Sequence, residues 1–412
     1  MKKATITTLV GATLTLFAGS AIAECNISSG SVRILGNDFD SIRTVTDQAS
    51  ACASSGTTVR VNLTTEHKNI QVPALTITPA EYTVALIANN SISPLLSADL
   101  VRPLNDLVEK YGQDLLPNQL IRTGDDIVAI AFMGNAQHLF MRGDILDDLG
   151  VEPPATYEEI IDVAEMIRSE GIMEYPLAAT YEAGWYLAAE FVNMHLGMGG
   201  QFFEAGSAQP ALNNEAGVRT LEMMKTLTEY MSPEYLTVTA DEMKQMYLAG
   251  EVAIMNQWGS MVAGHLGEDS GNQQISEATI LAPAPTAHGN NTPAAALWWD
   301  GFTIAKNISD EDAEASFQAM MYGIRPDMAQ QNPNAATWLI KDFDAPDTAQ
   351  GVLQTARLGA RGYPMSPFMG YMHAALGTEL SDFMQGRESA EQALMDVEAS
   401  YLASVREAGL AN

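Results

Sequence analysis

Apolar positions along this chain keep a two-residue period in some stretches and a helical period in others. Residues 31–35 (SVRIL) and 58–63 (TVRVNL) alternate as strands do, and 39–53 between them reads as a helix stopped by Gly56. Residues 83–88 (TVALIA) and 127–132 (IVAIAF) are near-continuous apolar runs. Such runs suit strands buried on both faces, as in a parallel sheet covered by helices. The alternation of strand and helix predicts an α/β fold.

Beyond Pro153 the pattern becomes mainly helical. Thr156 and Glu159 form a capping box, in which the hydroxyl and the carboxylate each satisfy a free N–H. Ile160, Val163, Ala164 and Ile167 then share one helix face, and Gly171 ends it. A second amphipathic helix follows Asn213-Asn214, with Val218, Leu221, Met224 and Leu227 on one side. Residues 252–256 (VAIMN) and 302–305 read as short strands, and the Pro-, Gly- and Asn-rich stretch 281–293 between them as a loop or hinge. Ser309 caps a further helix whose first turn carries Asp310, Glu311 and Asp312, at the positive end of its dipole.

A length of 412 residues predicts two lobes, and 47% hydrophobic residues exclude a disordered or fibrous chain. The balance of 21 Lys+Arg against 51 Asp+Glu argues against nucleic acid as a partner, because phosphates call for clustered cations. It also argues against docking on an anionic membrane. Lys2 and Lys3, the apolar run 5–17 and Ala21-Ile22-Ala23 read as a secretory signal over 1–23, cleaved on export to the periplasm. Glu24 disfavours a lipidated Cys25. In an oxidising compartment Cys25 and Cys52 are expected to form one disulfide, the alternative being two buried thiols.

The search for catalytic or metal chemistry returns little. No two of the six histidines stand at i, i+3 or i, i+4, and there is no CxxC, GxSxG or P-loop. Gly197, Gly199 and Gly200 lack the third glycine of a dinucleotide fingerprint. No enzyme, metal or cofactor is therefore expected. More telling are Trp185, Trp258, Trp298 and Trp299, set in segments rich in Gly, Asn, Gln and Asp: YEAGW, MNQWGS and LWWDG. Sugars have apolar C–H faces and rims of hydroxyls, so a site for them needs aromatic plates and planar polar groups.

Four segments, in order, resemble the extracellular solute-binding proteins of carbohydrate ABC importers, the maltose-binding-protein-like family. They are 84–112, 131–167, the pair 191–203 and 211–227, and 249–261 (AGEVAIMNQWGSM). Met141-Arg142 departs from the family's usual Tyr-Asn, and Trp258 sits slightly early. The resemblance implies a type II periplasmic-binding-protein-like fold: two α/β lobes joined by hinge strands, with a central ligand cleft. It implies an N-terminal lobe of 24–131 plus 282–325 and a C-terminal lobe of 132–281 plus 326–412. It further implies a monomer that hands its ligand to an ABC permease.

The same resemblance points to site residues. Asn37, Asp38 and Glu66 would meet sugar hydroxyls. Asn89 and Asn90 follow the third strand at its carboxyl end, where open α/β sheets bind ligands. Asn135 and Gln137 would lie at the first crossing between lobes. Trp185, Trp258 and Trp299 would be stacking plates, Asp300 and Gly301 would offer a carboxylate and a close backbone approach, and Tyr371 would add a late aromatic. The expected function is a receptor for a sugar or polyol. The alternatives are a receptor for another solute, such as a polyamine, or an exported carbohydrate-active enzyme.

Overall fold

A computed structural model of the chain describes Cys25, residues 27–261, Leu266 and residues 270–410; the expected signal 1–23 lies outside them. No helix among the described residues is long and apolar enough to cross a membrane. The first sheet takes β1 (Gly30–Gly36), β2 (Thr57–Leu63), β3 (Val84–Ala88), β4 (Leu120–Thr123) and β5 (Asp126–Asn135) from the early chain. The second is built from β6 (Gln137–Arg142), β7 (Leu177–Ala179), β8 (Ile254–Trp258) and β9 (Thr279–Ala282), in the order β7-β8-β6-β9. β10 (Ala296–Ile304), β11 (Thr337–Trp338) and β12 (Arg361–Gly362) then complete the first sheet, in the order β11-β5-β10-β3-β1-β2, with β4 on β5 and β12 on β10. β1 runs parallel to β2 and β3, while β10 is antiparallel to both β3 and β5.

Each sheet organises its own core, which makes the molecule two-lobed. Val32, Ile34, Leu86, Phe302 and Phe317 belong to the first core; Phe191, Leu221, Met224, Leu376 and Tyr401 belong to the second. The apolar run over β5 is buried nearly throughout, as two-sided coverage requires. Local signals set the helix starts. Thr156 Oγ1 accepts from the Glu159 N–H at 3.1 Å, and Glu159 Oε2 accepts from the Thr156 N–H at 3.2 Å. Asn214 caps Glu215–Thr228, and Ser309 Oγ accepts from the Asp312 N–H at 3.1 Å to start Asp310–Gly323. A disulfide joins Cys25 to Cys52, just past the helix Asp40–Ser50.

The cores do not follow the lobe boundaries read from sequence. Ala287, Ala294 and Ala296 pack into the second core, while Met328, Ala329, Trp338 and Ile340 pack into the first. The expected cuts near 282 and 326 rested on Pro and Gly turn signals. Turns mark chain reversals, not the layer into which the flanking apolar residues pack. The chain passes between lobes at Ala136, the one residue between β5 and β6, then along β10, and again after Ile340. Ala136, Ala284, Ala295 and Val352 form a small cluster of their own where these passages meet.

Candidate functional site

A cleft of about 1020 Å³ opens between the lobes. Its first-lobe wall is supplied by the carboxyl ends of β1 and β3 and the start of the helix His67–Thr76, which put Asn37, Asn90 and Lys68 on it. Loop positions after parallel strands are where an open α/β sheet leaves backbone and polar side chains free. The second-lobe wall comes from the start of the helix Trp185–Gly197, the end of β8 and the start of the helix Ala240–Ala249. These place Trp185, Tyr186, Trp258, Glu182 and Asp241 on it.

The passages between lobes form the floor. Asn135 ends β5 at the first passage; its Oδ1 accepts from the Ala136 and Ser260 N–H groups at 3.0 and 3.1 Å, and its Nδ2 donates to Ser260 Oγ at 3.0 Å. On β10, Trp298 and Asp300 face the cleft. Trp299 between them turns to the opposite face and packs on the first core. A strand allows nothing else, because successive side chains alternate.

Three indoles meet in this cleft. Ring centroids of Trp185, Trp258 and Trp298 lie 6.0–6.3 Å apart. Trp185 is 44% exposed, unusual for so large an apolar ring, and its free surface belongs to the cleft wall. Behind it, His373 Nε2 meets the Trp185 carbonyl at 3.0 Å and His373 Nδ1 meets the Tyr363 hydroxyl at 3.1 Å. The carbonyl can only accept, so Nε2 carries the proton and Nδ1 accepts from the tyrosine. Burial holds His373 down to about 4, which keeps the imidazole neutral. The Trp298 Nε1–H and Asn90 Oδ1 are buried with no partner among the described residues. Unpaired buried polar atoms carry a cost that a hydrogen-bonding ligand removes.

Electrostatically the cleft is mixed. Burial pushes the Asp300 carboxyl up to about 7, against the pull of the nearby Lys68 charge. Burial lowers Lys68 in turn, and Asp300 opposes that. Tyr186 is raised first by burial and then by the Glu182 and Asp241 charges, so both carboxylates bear on one side of the cleft. Among the described residues no group of three or more His, Cys, Asp or Glu is arranged to hold a metal ion.

Of the expected site residues, Asn37, Asn90, Asn135, Trp185, Trp258 and Asp300 come together on the cleft. The others do not line it. Asp38 is held by Arg43 Nε at 2.8 Å. Glu66 accepts from Asn69 Nδ2 at 2.7 Å on the solvent side of its helix. Asn89 turns inward and donates to the Leu297 carbonyl at 3.0 Å. Gln137 is fully buried among polar groups of the second lobe. Gly301 serves strand packing, since a Cβ there would stand 2.3 Å from the Ile130 carbonyl oxygen. Tyr371 packs on the second core. Sequence reasoning missed Lys68, Glu182, Asp241 and the role of Trp298. Strand parity would have recovered Trp298, since Asp300 and Trp299 cannot share a face.

Residues 56–323 match the family model of bacterial extracellular solute-binding proteins. The fold is similar to that of an ABC transporter solute-binding protein of Agrobacterium radiobacter K84 in complex with ribitol (TM-score 0.74, 18% identity, 91% of this chain and 98% of that one). It is also similar to maltose-bound MalE3 of T. maritima (TM-score 0.73, 16% identity, 91% and 100%). A third similar structure is an ABC transporter solute-binding protein of Agrobacterium vitis S4 with bound D-mannitol (TM-score 0.71, 16% identity, 92% and 99%). With the family model covering well over half of its length, the chain belongs to the bacterial extracellular solute-binding proteins.

Proposed function

We propose that this chain is the periplasmic receptor of an ABC importer, taking a sugar or sugar-like polyol between its lobes and delivering it to a membrane permease. One observation carries the reading: a large interlobe cleft in which three indoles stand beside amides and carboxylates. Indole faces suit the C–H faces of a sugar, and the polar groups suit its hydroxyls. The ribitol, mannitol and maltose named with the similar structures fit the same chemistry. Asn37, Asn90, Asn135, Trp185, Trp258 and Asp300 are the proposed contacts, with Lys68 and Trp298 added. A ligand touching both walls stabilises the closed molecule more than the open one, so binding shifts the population toward closure. The protein acts by binding, without catalysis, as a monomer exported through a leader at 1–23. Packing supports lobe boundaries at Ala136, within β10 and after Ile340.

Glu182, Asp241 and Asp300 line the cleft without an ion pair among the described residues, and this favours a second reading, a solute bearing amino groups such as a polyamine. A thermal-shift panel of sugars, polyols and polyamines separates the two. Ligand at 100 times its Kd adds ~2.7 kcal/mol to stability. A shift with a neutral sugar or polyol supports the first reading, and one with polyamines alone replaces it by the second. No shift with any of them refutes both.

A further inference from the structure

The three tryptophans of the cleft come from distant parts of the chain, yet one buried polar network reaches the segments of all three. Gln137 Nε2 donates to Thr180 Oγ1 at 2.8 Å, and Thr180 Oγ1 donates to Glu190 Oε1. Asn193 Nδ2 and Asn256 Nδ2 donate to Gln137 Oε1 at 2.8 and 3.0 Å. Asn256 Nδ2 also approaches Glu190 Oε2 at 3.4 Å, and Asn193 Oδ1 accepts from the Ala296 N–H at 2.8 Å. Thr180 begins the loop that leads into Trp185, Asn256 stands two positions before Trp258, and Ala296 two before Trp298. Gln137 opens β6 directly after the first passage between lobes.

Such a network is an expensive way to fill a core. A carboxylate this deeply buried, 2% exposed and with no cation bonded to it among the described residues, is tolerated only when its hydrogen bonds are specific. We propose that Glu190 is a positioning residue for the cleft: through Thr180, Asn256, Gln137 and Asn193 it sets the mutual placement of Trp185, Trp258 and Trp298, and gain of a proton at Glu190 resets that placement. The proposal rests on the cleft being the ligand site.

The chemistry of the reset is a change of partner. A charged Glu190 only accepts hydrogen bonds. A protonated one must donate, and Asn256 Oδ1 is the buried acceptor of the network that has no partner among the described residues. Turning the Asn256 amide to take that proton moves its Nδ2 away from Gln137, on the strand that carries Trp258. A cavity of about 20 Å³ borders Glu190 and Asn256 and gives the amide room to turn. Burial holds the proton on Glu190 up to about 7. The ionisable groups facing it are Tyr157 and Tyr181, both pushed well above the ordinary tyrosine range, so neither titrates in this window.

Indole rings 6.0–6.3 Å apart couple their transitions, and circular dichroism reads their relative orientation directly. The test is a pH series from 5 to 9 on the full exported chain without ligand. The tryptophan couplet should change with a midpoint near 7. It should do so in D300N as well, which removes a carboxyl of the cleft itself that is also raised to about 7. E190Q should show the acid-form couplet at every pH. T180V, lacking the hydroxyl that bonds the charged form, should move the midpoint up by about one pH unit. T180S should restore it. A couplet independent of pH, a change abolished by D300N, or a T180V midpoint equal to that of the parent overturns the proposal, even if E190Q does not fold. Because no ligand is used, failure of the sugar reading would show only in the ligand panel.

Discussion

Replacing Glu190 by Gln isolates the energy of one buried charge. Burial raises this carboxyl from an ordinary ~4.3 to about 7, a gap of roughly 2.7 in pKa worth ~1.4 kcal/mol for each unit. In the unfolded chain the proton leaves near 4.3; in the folded protein it leaves near 7. Between those values the folded state holds more protons, so stability falls as pH rises, and above about 7 the loss is complete at about 4 kcal/mol. Gln keeps the shape and the oxygen that Thr180 bonds, and does not titrate. Any penalty from its amide facing Asn256 is the same at every pH. His195 and His373, each lowered to about 4 by burial, contribute the opposite trend, stability gained as pH rises from about 4 to the ordinary histidine value. That trend is common to both proteins and cancels on subtraction. The assay is urea unfolding at intervals from pH 4.5 to 8.5. The stability of E190Q minus that of the parent should grow by about 3 kcal/mol across the range, most steeply between 5 and 7. A difference that stays flat would refute the reasoning, because it would mean that Glu190 is charged at the same pH whether folded or unfolded.

Trp185→Ala removes a ring that is 44% exposed, so it should change the melting temperature little while weakening the bound sugar or polyol by about 1–2 kcal/mol, or ~5–30-fold, in titration calorimetry. Gly301→Ala should lower stability by about 1–3 kcal/mol in urea unfolding, because its Cβ would meet the Ile130 carbonyl oxygen at 2.3 Å. Reducing Cys25–Cys52, which closes a separation of 27 residues, should cost about 3–4 kcal/mol by loop entropy, seen as a lower urea midpoint in reductant. Asp300→Asn should flatten the dependence of ligand affinity on pH around 7, where the parent carboxyl loses its proton.

What the sequence made legible was mostly local. The Thr156–Glu159 box, the helix start after Asn213-Asn214 and the Ser309 cap are settled by residues within one helical turn, and each forms as read. β3 and β5 announce themselves because burial on both faces leaves unbroken apolar runs. The site was half legible. The family resemblance pointed to Asn37 and position after a parallel strand to Asn90, and both line the cleft, but position cannot say which of two neighbouring amides turns outward. Asn89 found the Leu297 carbonyl, 208 positions along the chain, and turned in. Gln137 likewise answers to Thr180, Asn193 and Asn256. Partners so remote leave no trace near the residue itself. Trp298 and Trp299 differ only in strand phase, which the register of β10 against β5 decides.

β10 also bears on how the molecule is made. It lies between β3 and β5 and is hydrogen-bonded to both. Without it the first sheet falls into two unconnected pieces, β2-β1-β3 and β4-β5-β11, whose inner edges have no partner. The N-terminal lobe therefore cannot close its sheet until residues 296–304 have left the ribosome, with at least 304 residues already synthesised. A nascent chain of this protein stays incompletely folded through most of its synthesis, with open strand edges for chaperones to guard. If the chain is exported as proposed above, that late keystone would turn slow folding into an advantage.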